Sequence, residues 1–232
     1  MHIILINGSP RKNGATAKLN KALSKQLLEL NPDIPLETIE LGEVRPRYCD
    51  GCLYCYRKGE CHIKDDGMEE ISRRIAECDG LVLASPTYGS SVSGLFKTLI
   101  DRGHLLVEQA LHKKPCIVMT TYANAQGRQT LSFMNKLVMT SGGYSTSKIA
   151  IKVPFNGNPI SPQVAQKLSS AAKRLYRSIH NDGKSQSLFS RLFGFVAFHI
   201  VLKPMAMKSP KEYRGVLERW VERGLMKKEV LS

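Results

Sequence analysis

Short apolar runs alternate along the chain with longer stretches in which apolar residues recur every three or four positions. HIILIN (2–7), PLETIEL (35–41), GLVLASP (80–86), KPCIVMTTY (114–122) and YSTSKIAIKV (144–153) are rich in β-branched residues and read as strands. Between and after them, 15–30, 66–78, 93–111, 127–141 and 161–181 carry a helical period. Strands apolar on both faces and separated by helices predict an α/β fold with a five-stranded parallel sheet. FNGNPISP (155–162) and NDGKSQS (181–187) are the clearest linkers. They set the expected units at 1–182, a sheet domain, and 183–232, a helical C-terminal extension.

The most apolar stretch lies in that extension, LFSRLFGFVAFHIVLKPM (188–205), interrupted by Arg191 and His199. It reads as too short and too broken to span a bilayer. Phe189, Leu192, Phe193, Val196 and Ile200 fall at helical spacing and predict a helix packed on the domain or on a partner subunit. A membrane-surface helix, with Lys203 and Lys208 toward anionic headgroups, is the alternative. From Pro210 to Met226 one more amphipathic helix is expected, with Tyr213, Leu217, Trp220 and Val221 on its inner face.

Charge sharpens the division. The 232 residues carry a net charge of +14, with 20 basic and 15 acidic side chains in 1–161 against 14 and 5 in 162–232. A basic surface suits nucleic acid, anionic lipid or phosphorylated small molecules. No nucleic-acid motif accompanies it, and no aromatics are interleaved with the cations as base stacking would require. The expectation is a cytoplasmic protein that engages neither nucleic acid nor a membrane, since the N-terminal apolar run is too short for a signal peptide. In a reducing compartment six cysteines read as metal-binding, redox-active or buried rather than disulfide-bonded.

In an open parallel sheet, ligands sit beyond the carboxyl ends of the strands where strand order reverses. The loop after the first strand, INGSPRKNGAT, supplies Ser9, Thr16, amides around Gly14 and the charges of Arg11 and Lys12, which suits a terminal phosphate. It lacks G-x-G-x-x-G and G-K-[ST], the signatures of dinucleotide and nucleoside-triphosphate cradles. The plainer reading is that Ser9 and Thr16 only cap a helix. After the third strand, Pro86, Thr87, Tyr88 and Gly89 offer small residues and an aromatic wall for a flat ring. Asp101 and Arg102, at the end of the following helix, read as an ion pair or interface contact. Cys78 and Cys116 read as core.

Cys49, Cys52, Cys55 and Cys61 crowd into CDGCLYCYRKGEC. Two-residue gaps let successive thiols face one centre, which suits a four-iron cluster, whereas a zinc site more often pairs two such hooks across a longer gap. A structural loop with free thiols tolerates the same composition.

Together GSPRKNGAT, CDGCLYCYRKGEC followed by IKDD, and SPTYGSSVSGLFKTLIDR resemble the flavodoxin-like NAD(P)H-dependent FMN reductase family, including its iron–sulfur flavoproteins, over about residues 1–153. The resemblance implies a doubly wound sheet with FMN in the crevice between strands one and three. It assigns Ser9, Arg11, Asn13, Ala15 and Thr16 to the phosphate, and Pro86, Thr87, Tyr88 and Gly89 to the ring. Thr121, Tyr122, Asn124 and Gly127 are candidates for a third loop. Ala15 departs from the asparagine common in the family. The resemblance further implies an oxidoreductase that takes electrons from NAD(P)H and reduces a quinone, flavin, nitro compound or metal ion. Alternatively, a [4Fe-4S] cluster on the four cysteines exchanges single electrons with FMN and a carrier protein, or the chain is a non-catalytic redox sensor or electron carrier. It implies a homodimer or homotetramer and names no catalytic side chain, because the cofactor performs the transfer.

Overall fold

The computed structural model describes residues 1–181 and 186–231. Five strands, β1 (Ile3–Asn7), β2 (Leu36–Glu40), β3 (Gly80–Pro86), β4 (Pro115–Tyr122) and β5 (Tyr144–Lys152), lie where the apolar runs predict them. All pairings are parallel and the order is β2-β1-β3-β4-β5, the flavodoxin-like order that the resemblance implies. The order reverses between β1 and β3, which opens a crevice at their carboxyl ends.

The two-residue alternation of each strand splits the core in two. Ile3 and Leu5 of β1 face α1 (Ala15–Leu30) and α7 (Pro162–His180), and pack with Val82, Ala84, Ile117 and Met119 of the neighbouring strands. Ile4 and Ile6 face the other layer, formed by α4 (Met68–Glu77), α5 (Gly94–Arg102) and α6 (Gly127–Thr140). Helix starts follow local chemistry. Ser161 accepts a hydrogen bond from the Val164 amide with Pro162 just behind it, and Ser93 accepts one from Phe96. Leu168 and Leu175 of α7 are fully buried and contribute about 1.5–3 kcal/mol each by leaving water.

The helix expected over 93–111 ends at Arg102. A side chain at Gly103 would come within 2.5 Å of the Leu99 carbonyl, and His104, Gln109 and Lys113 adopt left-handed φ of 51°, 54° and 59°. Leu105, Val107, Ala110 and Leu111 are buried from consecutive turns, so a near-helical spacing there records burial rather than a helix. Two short helices were not legible, α2 (Leu41–Val44) and α3 (Tyr54–Lys58).

Of the second linker, 182–185 lie outside the described residues, and with them the expected boundary at 182. Beyond it, α8 (Leu188–Phe195), a π-helical segment (Val196–Leu202) and α9 (Lys203–Lys208) run on as one helix. Its 21 residues are long and apolar enough to cross a membrane by length and composition, which corrects the expectation drawn from the run to 205. It is rooted by Phe198, Leu202 and Ala206, which join Val107 and the Val216, Leu217 and Trp220 of α10 (Arg214–Glu222) in a third apolar cluster. The face read from the sequence points elsewhere: Phe189, Leu192 and Ile200 are 67%, 60% and 63% exposed.

Candidate functional site

Three loops meet at the β1–β3 crevice. Buried Asn7 donates to Glu40 at 2.6 Å and accepts from the Ser9 amide at 3.1 Å, which sets the course of the first loop. Ser9 is buried, and its hydroxyl accepts from the Arg11 amide at 3.1 Å. Arg11 and Asn13 are exposed and Ala15 is half-buried. Lys12 pairs with Glu43 at 2.5 Å, and that carboxylate raises its pKa. Gly14 is the N-cap of α1 and offers no side-chain acceptor to the first-turn amides, and no acidic residue stands in that turn. A side chain at Gly14 would come within 3.3 Å of both Arg11 and the Ser9 hydroxyl. A 16-residue helix thus presents open amides and its positive end beneath a narrow loop, a seat for an anion.

The other loops are stitched to this one. Thr16 and Thr121 share a hydroxyl–hydroxyl hydrogen bond of 2.8 Å, and the Thr87 amide donates to the Thr121 carbonyl at 2.7 Å. Ser93 donates to the Gly8 carbonyl. Pro86 ends β3 in full burial. Tyr88 and Ser91 exchange backbone hydrogen bonds across a turn whose Gly89 and Ser90 have φ of 52° and 70°. The turn holds the Tyr88 ring outward, 42% exposed. Ser90 donates to the Gln126 side chain, which ties this turn to the third loop. There Asn124 is exposed, and a side chain at Gly127 would strike the Tyr122 ring. The nine residues assigned to phosphate and ring therefore fall on two loops that touch, with Thr121 joining both.

Cys49, Cys52, Cys55 and Cys61 line one small pocket with Asp50, Leu53, His62, Ile63, Asp101, Arg102 and His104. All four thiols are free. The Gly51 amide points at Cys49 Sγ (3.4 Å) and the Tyr54 amide at Cys52 Sγ (3.5 Å). Arg102 is 1% exposed and aims Nη2 at Cys61 Sγ, 3.5 Å away. The Asp66 carboxylate and the Arg47 and Ile63 carbonyls hold it there, while Asp101 turns away to Lys97. Four free thiols on one pocket, amides aimed at two of the sulfurs and a buried cation fit an anionic thiolate-bound cluster, while Cys52 also stands within ligand distance of Asp50 and His62.

His104 is buried beside Cys55 and 3.1 Å from Glu108. Burial lowers its pKa, but hydrogen bonds to Cys55 and Glu108 outweigh that and raise it to about 10. Cys78 and Cys116, by contrast, are core residues of the sheet domain, and burial pushes the Cys78 thiol up to about 11.

The C-terminal extension closes the cysteine loop. Arg219 of α10 donates through Nε and Nη2 to the Gly59 carbonyl at 3.1 and 2.9 Å. Gly215 packs so tightly that a side chain there would lie 1.9 Å from the Gly59 nitrogen. Tyr56 meets Tyr213 edge-on at 5.3 Å. Arg223 reaches Glu108 at 3.0 Å, and Trp220 donates to the Val107 carbonyl at 2.8 Å. Arg102, His104, Gly215 and Arg219 were not identified as site residues from sequence. They lie 41 to 160 positions from the cysteine-loop atoms they meet, so no local spacing signals them.

The family model described as NADPH-dependent FMN reductase matches residues 1–152. An iron–sulfur flavoprotein of Clostridioides difficile is 44% identical over 226 residues, 97% of this chain and all of that one. Another, of Archaeoglobus fulgidus, is 40% identical over 102 residues, 44% of this chain and 45% of the relative. Among solved structures, an oxidoreductase of Corynebacterium diphtheriae superposes with a TM-score of 0.60 at 23% identity, over 78% of this chain and 98% of the other.

Proposed function

Because the chain belongs to the NADPH-dependent FMN reductase family, we propose that it is a flavin oxidoreductase that pairs FMN with a [4Fe-4S] cluster and exchanges single electrons with a partner. The observation that carries this reading is the single pocket lined by Cys49, Cys52, Cys55 and Cys61. The relative matched along its whole length, itself named an iron–sulfur flavoprotein, supports it. When bound, the flavin supplies one- and two-electron chemistry and the cluster supplies single electrons.

The chain's own residues bind, orient and shield. The amides at the start of α1, with Ser9 and Thr16, would receive the FMN phosphate, and Pro86, Thr87, Tyr88 and Gly89 would bear on the ring. Arg102 and the Gly51 and Tyr54 amides offset the negative charge of four thiolates. No protein acid or base is required for electron exchange. A second reading, hydride transfer from NAD(P)H to a small acceptor, is favoured by the exposure of Tyr88 on the loop that would bear on the ring, where a second ligand would have room to approach.

Anaerobic purification followed by visible spectroscopy and metal analysis separates the two. A brown protein absorbing near about 400 nm, with iron near fourfold over FMN, is the expected result. A yellow protein that takes up no iron on reconstitution would leave only the hydride reading.

A further inference from the structure

The long helix 188–208 is the least covered apolar element among the described residues. Leu188, Phe189, Leu192, Phe195, Ile200 and Val201 are each more than half exposed, and only 11% of the most apolar window is buried. Isolated soluble chains seldom leave so much contiguous apolar surface in water, so this face has an occupant.

Charge selects it. From Gln186 to Lys211 the sequence contains no aspartate or glutamate, but it contains Arg191, Lys203, Lys208 and Lys211. Arg191, Lys208 and Lys211 are exposed. Two copies pairing through this helix would set two basic segments, each without an acidic residue, against one another, because a two-fold contact sets the same patch against itself. An anionic lipid surface presents the opposite charge above an apolar interior, and so complements both properties of the helix.

We propose that helix 188–208 is a membrane-surface helix that docks the protein on anionic lipid, its apolar face in the headgroup boundary and its cations among the headgroups.

Packing sets its orientation. Phe198, Leu202 and Ala206 are held in the cluster around Trp220, with the Phe198 and Trp220 rings 4.9 Å apart at 77°. Passage of the helix through a bilayer would tear this cluster open, so the helix lies flat. Tyr56 of the cysteine loop packs against the same cluster, so the root of the helix adjoins the proposed redox site. The proposal does not depend on whether that site holds iron.

The test is sedimentation of the full-length, flavin-loaded protein with vesicles of phosphatidylcholine alone and of phosphatidylcholine mixed with phosphatidylglycerol. Binding is expected only with the anionic vesicles, and it should weaken as salt is added. Leu192→Ser with Ile200→Ser, both on the outer face, should cut binding by about tenfold or more, with melting temperature and flavin content unchanged. Arg191→Gln with Lys208→Gln should flatten the salt dependence. Failure to sediment with either vesicle would overturn the proposal. So would a wild-type dimer in light scattering that Leu192→Ser with Ile200→Ser turns into monomer, which would give the face to a second copy.

Discussion

Arg102 shows how one residue ties the sheet domain to the cysteine loop. Its guanidinium is almost without exposure, meets the Asp66 carboxylate, and spans to Cys61 Sγ. The pair lowers the Asp66 pKa even though burial raises it, so the stability Asp66 contributes is present above the unfolded carboxylate value of about 3.9 and is lost as pH falls below it. Asp66→Asn leaves a buried cation uncompensated and is expected to cost about 3–5 kcal/mol in urea unfolding at neutral pH. Asp65→Asn, which breaks only the exposed pair with Arg47, should cost under about 1 kcal/mol. The cysteines divide in the same way. Cys49→Ala or Cys61→Ala should abolish most bound iron with FMN retained, whereas Cys116→Ala should leave both near wild type, because Cys116 lies in the core of the sheet domain.

At the scale of elements, α10 acts as a clamp on the cysteine loop. Its contact is backbone against backbone at Gly215 and Gly59, and Gly59 stands between Cys55 and Cys61 with φ of 69°. Gly215→Leu cannot fit without moving the loop or the helix. It should lower iron content severalfold while flavin absorbance stays, and a variant that keeps its iron would show that the loop holds its shape without α10. Arg219→Ala removes two hydrogen bonds to a partly buried carbonyl, and a milder loss of about 1–3 kcal/mol in loop stability is expected. The elements around the β1–β3 crevice are joined by Thr121, which reaches both Thr16 and Thr87. Thr16→Val breaks one of those ties and should weaken FMN binding about tenfold in a fluorescence titration.

In the whole molecule the extension meets the sheet domain at the cysteine loop around Gly59 and at the segment carrying Val107 and Glu108. Removal of iron from the proposed cysteine site should speed hydrogen exchange in 49–61 and 213–223 while β1, β3 and β4 stay protected; equal change everywhere would mean the two parts unfold as one. The strands and helices of the sheet domain were legible because periodicity follows directly from which side chains must leave water. The error at 103–111 and the missed α2 and α3 arose where burial came from turns or where a helix is too short to show a period. The four cysteines and the first loop could be nominated from sequence because their chemistry is compressed into short segments. Arg102, His104, Gly215 and Arg219 were not, because their meaning lies in contacts that only chain folding creates. The outward face of 188–208 shows the same limit: sequence established that the helix is apolar, while the packing of Phe198, Leu202 and Ala206 decided which side is left bare. Sequence by itself determined the sheet, the order of its strands through family resemblance, and the candidate ligands. Tertiary structure alone decided which distant residues surround those ligands, because electrostatics and packing act through space rather than along the chain.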